Sequence, residues 1–217
     1  TTIERKTKRI ESDLTAIART TVMSLVDTYL AGLRHVLPAE NLDQLKLAHG
    51  ASATDLQQLT EHYPLCPASL LQLLSQIDGT HFRDYHDGTV MVLMLGSDVF
   101  EYPYYLRSVR QILEGAHAHT RSIAQIYEGY LDQEPDLIDP LIDSTLPMNK
   151  RLCFSHCMNN GGTSRLYIDF NPAPGGTVGQ VMRFLHDPDS YKVIAQSFDY
   201  YLQQLIDDHY SFIYGDE

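Results

Sequence analysis

Apolar residues recur at steps of three and four along the first 36 residues, which predicts a long amphipathic helix. The positions on this face are Ile10, Leu14, Ile17, Thr21, Leu25, Tyr29 and Leu33. Pro38 ends the pattern. A helix over residues 3–36 would be about 45–50 Å long. We therefore expect an N-terminal helical arm over residues 1–40 that lies across a domain or packs on a second chain, as in a homodimer.

Three further helices are predicted before the C-terminal third of the chain, at residues 55–62, 68–77 and 106–130. Ser52 or Thr54 is a good N-cap for the first of them. Pro67 suits the first turn of the second. Between the second and third helices, the apolar run at residues 90–95 is bounded by glycines and predicts a buried strand.

The C-terminal third alternates apolar and polar residues in short segments, which is typical of strands. Strands are predicted at residues 152–156, 165–170 and 179–185. The turns between them, at 159–163 and 171–176, are rich in Asn, Gly and Pro. Short turns join antiparallel neighbours, and Ser197 caps a closing helix. Helices followed by an antiparallel sheet and a last helix predict an α+β fold.

The charge of the chain narrows the classes of partner. Its formal net charge is -12, which argues against binding to nucleic acid backbones, where clustered Lys and Arg are needed. Residues 78–143 hold 12 of the 28 acidic residues but only 4 of the 16 basic ones. This imbalance fits a basic protein partner, although acidity also serves solubility alone.

The remaining composition favours a cytoplasmic protein. No apolar run approaches the roughly 20 residues of a membrane helix, and no apolar segment follows the basic N-terminal segment 1–9 as in a signal peptide. The three cysteines are odd in number, so a disulfide framework is not expected.

Seven short motifs between residues 65 and 202 follow one another in a recognisable order. The motifs are Leu-Cys-Pro at 65–67, Asp-Gly at 78–79, Asn-Gly-Gly at 160–162, Ile-Asp-Phe-Asn-Pro at 168–172, Gly-Thr-Val-Gly-Gln-Val at 176–181, Phe-Leu-His-Asp at 184–187 and Ser-Phe-Asp-Tyr-Tyr-Leu at 197–202. This order resembles the signature of the Smi1/Knr4 (SUKH) family. The chain departs from that pattern in having Asp78 where the family has Asn, and in lacking tryptophan.

The resemblance implies a fold and a class of function. The fold is a twisted, mainly antiparallel sheet with helices packed on one side, here as a single domain over residues 41–217. Residues 97–149 look like a helical insertion that diverges from the family. The family implies no catalysis and no cofactor. Its bacterial members resemble immunity proteins that neutralise toxins, often nucleases, and its eukaryotic members resemble regulatory or scaffolding modules.

The residues of the C-terminal motif have mainly architectural roles in this interpretation. They are Gly161, Gly162, Asp169, Pro172, Gly175, Gly176, Gly179 and Gln180. Glycines permit tight turns, and the prolines make the connection rigid. Asp169 is expected to accept hydrogen bonds from turn amides, and Gln180 to satisfy buried backbone groups.

The acidic, proline-containing segment at residues 131–140 is the best candidate for contact with a partner. The predicted partner-binding residues are Asp132, Glu134, Asp136, Asp139, Asp143, Tyr102, Tyr104 and Tyr105. The tyrosines are included because aromatic residues are enriched at interfaces. We expect this acidic surface to cover the basic cleft of a toxin domain. The simpler alternative is a solvated acidic surface with tyrosines in the core.

Two groups of residues leave an enzymatic alternative open, namely a metal-dependent hydrolase. Cys153, His156 and Cys157 are residue types that bind zinc, but on a regular strand the two cysteines would share a face opposite to the histidine. A second group in the sequence comprises His81, His86, His117 and His119, with Asp84 and Asp87 nearby. We expect neither group to form a catalytic or metal site.

Overall fold

The computed structural model describes residues 23–159 and 161–213. The helices are α1 (Leu25–Val36), α2 (Ala39–Leu45), α3 (Ala53–His62), α4 (Ala68–Gln76), α5 (Val109–Ala118), α6 (Ile123–Ile126) and α7 (Phe198–Asp207), with 3-10 turns at Met148–Lys150 and Ser211–Ile213. The strands are β1 (Arg83–Tyr85), β2 (Gly88–Val90), β3 (Leu93–Leu95), β4 (Tyr104–Leu106), β5 (Leu152–Asn159), β6 (Gly162–Asp169), β7 (Gln180–Leu185) and β8 (Ser190–Ala195). No helix within these two ranges is long and apolar enough to cross a membrane.

The strands form two antiparallel sheets, which confirms the predicted α+β class. β1 and β2 make a small hairpin, while β3 to β8 form a six-stranded sheet in chain order. Every pair in the large sheet is antiparallel, as short connections require. The C-terminal meander predicted from the sequence therefore forms one half of a larger sheet.

The main core lies between one face of this sheet and the helices. Phe154 and Leu166 of the sheet are fully buried there, together with Leu30 of α1 and Phe198 of α7. The rings of Phe154 and Phe198 meet edge to face with centroids 5.2 Å apart. Burial of this kind contributes about 1.5–3 kcal/mol for each large apolar side chain. It fixes the helices against the sheet.

The other face of the sheet carries a second, smaller core. Its cover is the mostly irregular segment 119–150, which contains the one-turn helix α6 and the 3-10 turn at Met148–Lys150. The buried residues of this cluster are Ile123, Ile142, Met148, Cys153, Tyr167, Met182 and Tyr191. The sheet is thus covered on both faces, by helices on one and by a largely non-helical layer on the other.

Two sequence predictions of regular structure were wrong in their extent. The single helix predicted over 106–130 is two helices, because Ser108 and Ser122 each cap a new helix start and each forms a capping box, with Gln111 and Gln125 respectively. The strand predicted over 90–95 is divided between two sheets. Residues 91 and 92 lie between the two strands and belong to neither sheet. The Val92 amide donates to the Thr80 carbonyl instead.

The N-terminal helix is described only in part. α1 begins after Ser24, whose hydroxyl accepts a hydrogen bond from the Asp27 amide, and it ends at Val36. Residues 3–22 of the predicted helix lie outside the described residues. The division into an arm, a domain and an insertion at 97–149 stays a prediction.

Asp78 and Gly79 join the helical layer to the large sheet. The Asp78 carboxylate accepts hydrogen bonds from the Val109 amide at 2.9 Å and from Arg83 at 2.7 Å. Gly79 has a φ of 89°, and a Cβ at this position would lie 2.6 Å from the Ser108 amide nitrogen. Only glycine fits both this backbone conformation and this close approach.

Replacing Gly79 with alanine should therefore destabilise the protein strongly. We expect Gly79→Ala to lose about 2–4 kcal/mol, since an unfavourable φ and a steric clash act together. Gly129→Ala is the matched control, because Gly129 has a φ of 83° but no atom within 4 Å of the added methyl. It should lose only about 1 kcal/mol. Urea denaturation measures both, and equal losses would contradict this account.

Candidate functional site

A buried ion pair lies at the centre of the C-terminal motif, whose glycines and prolines fall within residues 161–180. Arg151, just before β5, and Asp169, at the end of β6, are both fully buried, with Arg151 Nε 3.3 Å from Asp169 Oδ1. The same carboxylate accepts hydrogen bonds from the Asn171 amide at 3.2 Å and from Gln180 Nε2 at 3.4 Å. The contacts of Asp169 thus connect the ends of β6 and β7 with the residue before β5.

This network extends into the second layer. Arg151 donates from Nη2 to the Asp143 carbonyl at 2.7 Å and from Nη1 to the Leu146 carbonyl at 3.2 Å. Gln180 donates to the Leu141 carbonyl at 3.0 Å. These bonds fix residues 141–146 to the sheet. This segment directly follows the acidic loop, residues 131–140.

The glycines of the motif fall into two physical classes. Gly161, Gly175 and Gly179 have φ values of 80°, 94° and 88°, which L side chains rarely adopt. Gly162 and Gly176 are instead places of close approach. A Cβ on Gly162 would lie 2.1 Å from the His186 ring. One on Gly176 would lie 2.6 Å from the Cβ of Pro172, so the proline packs directly on the turn.

The acidic loop is fixed to the last strand of the sheet. The Asp139 amide donates to the Tyr191 carbonyl at 2.8 Å, and the Tyr191 amide donates to the Leu137 carbonyl at 2.7 Å. The Asp139 carboxylate accepts from the Leu141 amide at 2.9 Å and the Val193 amide at 3.3 Å. Asp139 therefore has a structural role within the loop.

Asp143 is also engaged locally. Its carboxylate accepts hydrogen bonds from the hydroxyl and amide of Thr145, at 2.7 and 2.9 Å. These bonds lower the pKa of Asp143 below its usual value. Asp132, Glu134 and Asp136 differ, because they are exposed and their carboxylates make no hydrogen bond within the described residues.

Glu134 and Asp136 lie on the wall of a wide groove, which we call the acidic groove. The groove has a volume of about 880 Å³ and also includes Asp98, Asp139 and Asp189. Two cations line it, Arg183 and Lys192. Arg183 is 2% exposed and is neutralised by Asp98, with Nη2 2.8 Å from Oδ2. The groove is therefore lined by five carboxylates and two cations, one of them already neutralised.

The predicted tyrosines do not join this groove. Tyr104 is fully buried, because the alternation of β4 turns it with Leu106 toward the main core. Tyr102 and Tyr105 line a separate groove of about 300 Å³ beside Phe82 and Met158. The structure thus places the predicted aromatic and acidic residues on separate surfaces.

The cysteines and His156 do not have the arrangement that a regular strand predicts. A β-bulge between Cys153 and Ser155 reverses the alternation of β5. Cys153 therefore packs in the second cluster and Cys157 in the main core, on opposite faces of the sheet. The prediction that the two cysteines share a face was wrong. Burial raises the pKa of the Cys157 thiol to about 11.

The histidines predicted as a sequence cluster are dispersed. His81 contacts His156, with ring centroids 4.1 Å apart, while His117 contacts His62 at 5.7 Å. His86 is exposed and pairs only with its neighbour Asp87. Within residues 23–159 and 161–213, no three His, Cys, Asp or Glu side chains are arranged to hold a metal ion.

The buried motif network can now be compared with known families. The model of the SMI1 / KNR4 family (SUKH-1) matches residues 50–204. The chain belongs to the SMI1/KNR4 family. The matched range contains the Arg151–Asp169 pair and the residues that line the acidic groove. No curated protein matches the chain.

Removing the charge of Asp169 should destabilise this SUKH-1 protein more than removing an exposed charge. Asp169→Asn leaves the fully buried Arg151 guanidinium without its counter-ion, and we expect a loss of about 3–5 kcal/mol. Asp43→Asn is the control, since it breaks an exposed pair with Lys46 and should cost less than about 1 kcal/mol. The measurement is the free energy of unfolding in urea. A loss for Asp169→Asn no larger than the control's would show that the pair is dispensable.

The His156 side chain should make stability depend on pH. Burial lowers its pKa to about 3, and the neighbouring His81 and Arg107 act in the same direction. Because an unfolded histidine titrates near 6.5, the unfolded chain binds more protons between these values, and stability falls as the pH drops from about 6.5 toward 3.

His156→Gln should reduce this dependence. We expect the stability lost between about pH 7 and about pH 4.5 to be smaller by about 1–2 kcal/mol than in the parent protein. His35→Gln, at an exposed position of α1, is the control and should leave the loss unchanged. Urea titrations at the two pH values give both quantities. If His156→Gln changes the free energy of unfolding equally at both pH values, the stability lost between them is the same as in the parent protein. That result would contradict the assignment to His156.

Proposed function

We propose that this protein is a non-enzymatic binding domain of the immunity type, whose acidic groove covers the basic cleft of a nuclease-type bacterial toxin. The observation that carries the proposal is the acidic groove itself. Glu134 and Asp136 are exposed there and have no internal partner, while the backbone beside them is bonded to β8. Family membership agrees with a protein-interaction role.

The physical argument rests on a mainly acidic surface with a fixed backbone. Because the backbone beside Glu134 and Asp136 is already fixed, binding has to order only their side chains, which limits the loss of conformational entropy. Complementary charge also speeds encounter between partners, by factors of about ten or more at low salt. A nuclease cleft that holds a phosphate backbone is basic, so it offers the matching surface.

A second role, as a regulatory or scaffolding module with a housekeeping partner, is favoured by a different surface. The groove lined by Tyr102 and Tyr105 has exposed apolar residues beside it. Phe82 is 57% exposed and Met158 is 73% exposed. Exposed apolar residues grouped around aromatic ones are a common feature of protein interfaces.

The experiment that separates these roles is capture of the partner by affinity purification from the native organism, followed by mass spectrometry. A toxin encoded beside this gene, whose toxicity is abolished by co-expression, would support the immunity role. A housekeeping protein captured instead, with a growth phenotype on deletion and no linked toxin, would support the regulatory role and contradict the first proposal.

Charge reversal in the acidic groove should slow association with the captured toxin. We expect Glu134→Lys combined with Asp136→Lys to reduce the association rate constant about tenfold and to weaken its dependence on salt. Glu40→Lys with Asp43→Lys is the control, because it changes the net charge equally on the exposed surface of α2. Stopped-flow kinetics at several salt concentrations measure both. Equal effects of the two double variants would mean that net charge, and not the groove, guides binding.

A further inference from the structure

A second cavity, on the face of the sheet that carries the smaller core, has the opposite electrostatic character. It has a volume of about 340 Å³, within the range of small-ligand sites. One wall is the segment 118–121 with Ile126 and Met148, and the other is formed by the sheet residues Arg165, Tyr167, Phe184 and Tyr191. It shares no lining residue with the acidic groove. We call it the arginine cavity.

The cations of this cavity have no carboxylate partner. In the described part of the chain, no Asp or Glu oxygen lies within ion-pair distance of Arg165 or Arg121. Arg121 donates only to the Gln125 carbonyl. Asp189, an acid near Tyr191, is instead engaged by the Tyr127 hydroxyl and by His186. In a chain of net charge -12, two unpaired guanidinium groups at one cavity leave it locally positive.

The positive charges near the cavity also affect the pKa of a neighbouring histidine. His119 lines the cavity. Its pKa is lowered by burial and then by the positive charges of Arg165 and Arg107. Arg107 donates to the Cys153 and Gln111 carbonyls, and it forms no ion pair with a carboxylate among the described residues.

Tyr167 adds a neutral donor to the cavity. It is only 4% exposed, and its side chain lines the cavity. No hydrogen bond joins its hydroxyl to another group in residues 23–159 and 161–213, and the hydroxyl oxygen is not among the fully enclosed unpaired polar atoms, so it is open to the cavity. A hydroxyl that is open to the cavity and makes no internal hydrogen bond is free to donate to an acceptor that enters the cavity.

The remaining wall is apolar and flat. Phe184 and Tyr191 stack with ring centroids 4.7 Å apart and an angle of 27° between their planes. Ile126 and Met148 face the same cavity. A planar ring would contact these side chains, while an oxyanion attached to it would reach the guanidinium groups and the Tyr167 hydroxyl.

We propose that the arginine cavity binds a small phosphorylated ligand with a planar ring, of the nucleoside monophosphate class. Arginine binds phosphate oxygens through paired N–H groups, which gives the phosphate a defined position. The tyrosine hydroxyl adds a third donor, and the aromatic wall receives the ring. The proposal does not depend on the acidic groove or on the identity of a protein partner.

Calorimetric titration of the full chain with adenosine monophosphate, inorganic phosphate and adenosine tests this assignment. We expect adenosine monophosphate to bind more tightly than either fragment, because only it fills both parts of the cavity. Arg165→Gln should weaken its affinity at least about tenfold, since a charged hydrogen-bonding group is lost. Tyr167→Phe keeps the ring and should weaken the affinity about threefold to tenfold. Urea denaturation checks that both variants remain folded.

Arg110→Gln is the matched control, because Arg110 is exposed on α5 and paired with Glu114 at 2.8 Å. It should leave the affinity unchanged. Absence of binding by all three probes up to about 10 mM would overturn the proposal. So would equal affinity of the parent and the folded Arg165→Gln variant. If no probe binds and Arg165→Gln instead weakens the captured protein partner, the cavity receives an acidic side chain, and the small-ligand assignment is wrong.

Discussion

The buried pair of Arg151 and Asp169 is the interaction on which the rest of the structure depends. Two full charges in the interior are tolerable only when they are paired and their other groups find partners. Arg151 Nε lies 3.3 Å from Asp169 Oδ1 without forming a hydrogen bond among the described residues, so the partners of the two Nη atoms matter most. The carbonyls of Asp143 and Leu146 accept from the arginine, and Gln180 supports the aspartate. These partners come from the sheet and from the layer that covers it. The network therefore specifies how the irregular layer sits on the sheet, which apolar contacts alone would define less precisely.

Covering both faces of the sheet gives the protein two surfaces of opposite charge. The acidic groove lies where the loop around Asp136 meets β8, and the arginine cavity lies between the same irregular layer and the middle of the sheet. Because the layer is fixed by backbone bonds to Tyr191 and by the Arg151 network, neither surface has to be assembled when a ligand arrives. Fixed surfaces of this kind favour specific binding, because little conformational freedom is lost when a partner docks.

Local patterns of the sequence predicted several elements well. Ser52 and Ser197 begin helices as N-caps, and the Asn, Gly and Pro turns separate β5, β6 and β7. The Ser-x-x-Gln pattern occurs in the sequence at Ser108 and again at Ser122, and it marks two helix starts. The prediction of one helix over residues 106–130 did not take this pattern into account. These successes share a cause, since caps and turns are set by bonds between residues close in the chain.

The candidate sites depend on contacts between residues that are distant in the chain. The sequence by itself determined the α+β class, the family motif and the acidic character of the loop. Tertiary structure alone showed that Asp139 bonds to the backbone, that Tyr104 is buried, and that a bulge in β5 separates Cys153 from Cys157. It also placed Arg121 of the covering layer and Arg165 of β6 at the same cavity. Pairing register and the partners of a buried charge depend on residues distant in the chain, so no local pattern encodes them.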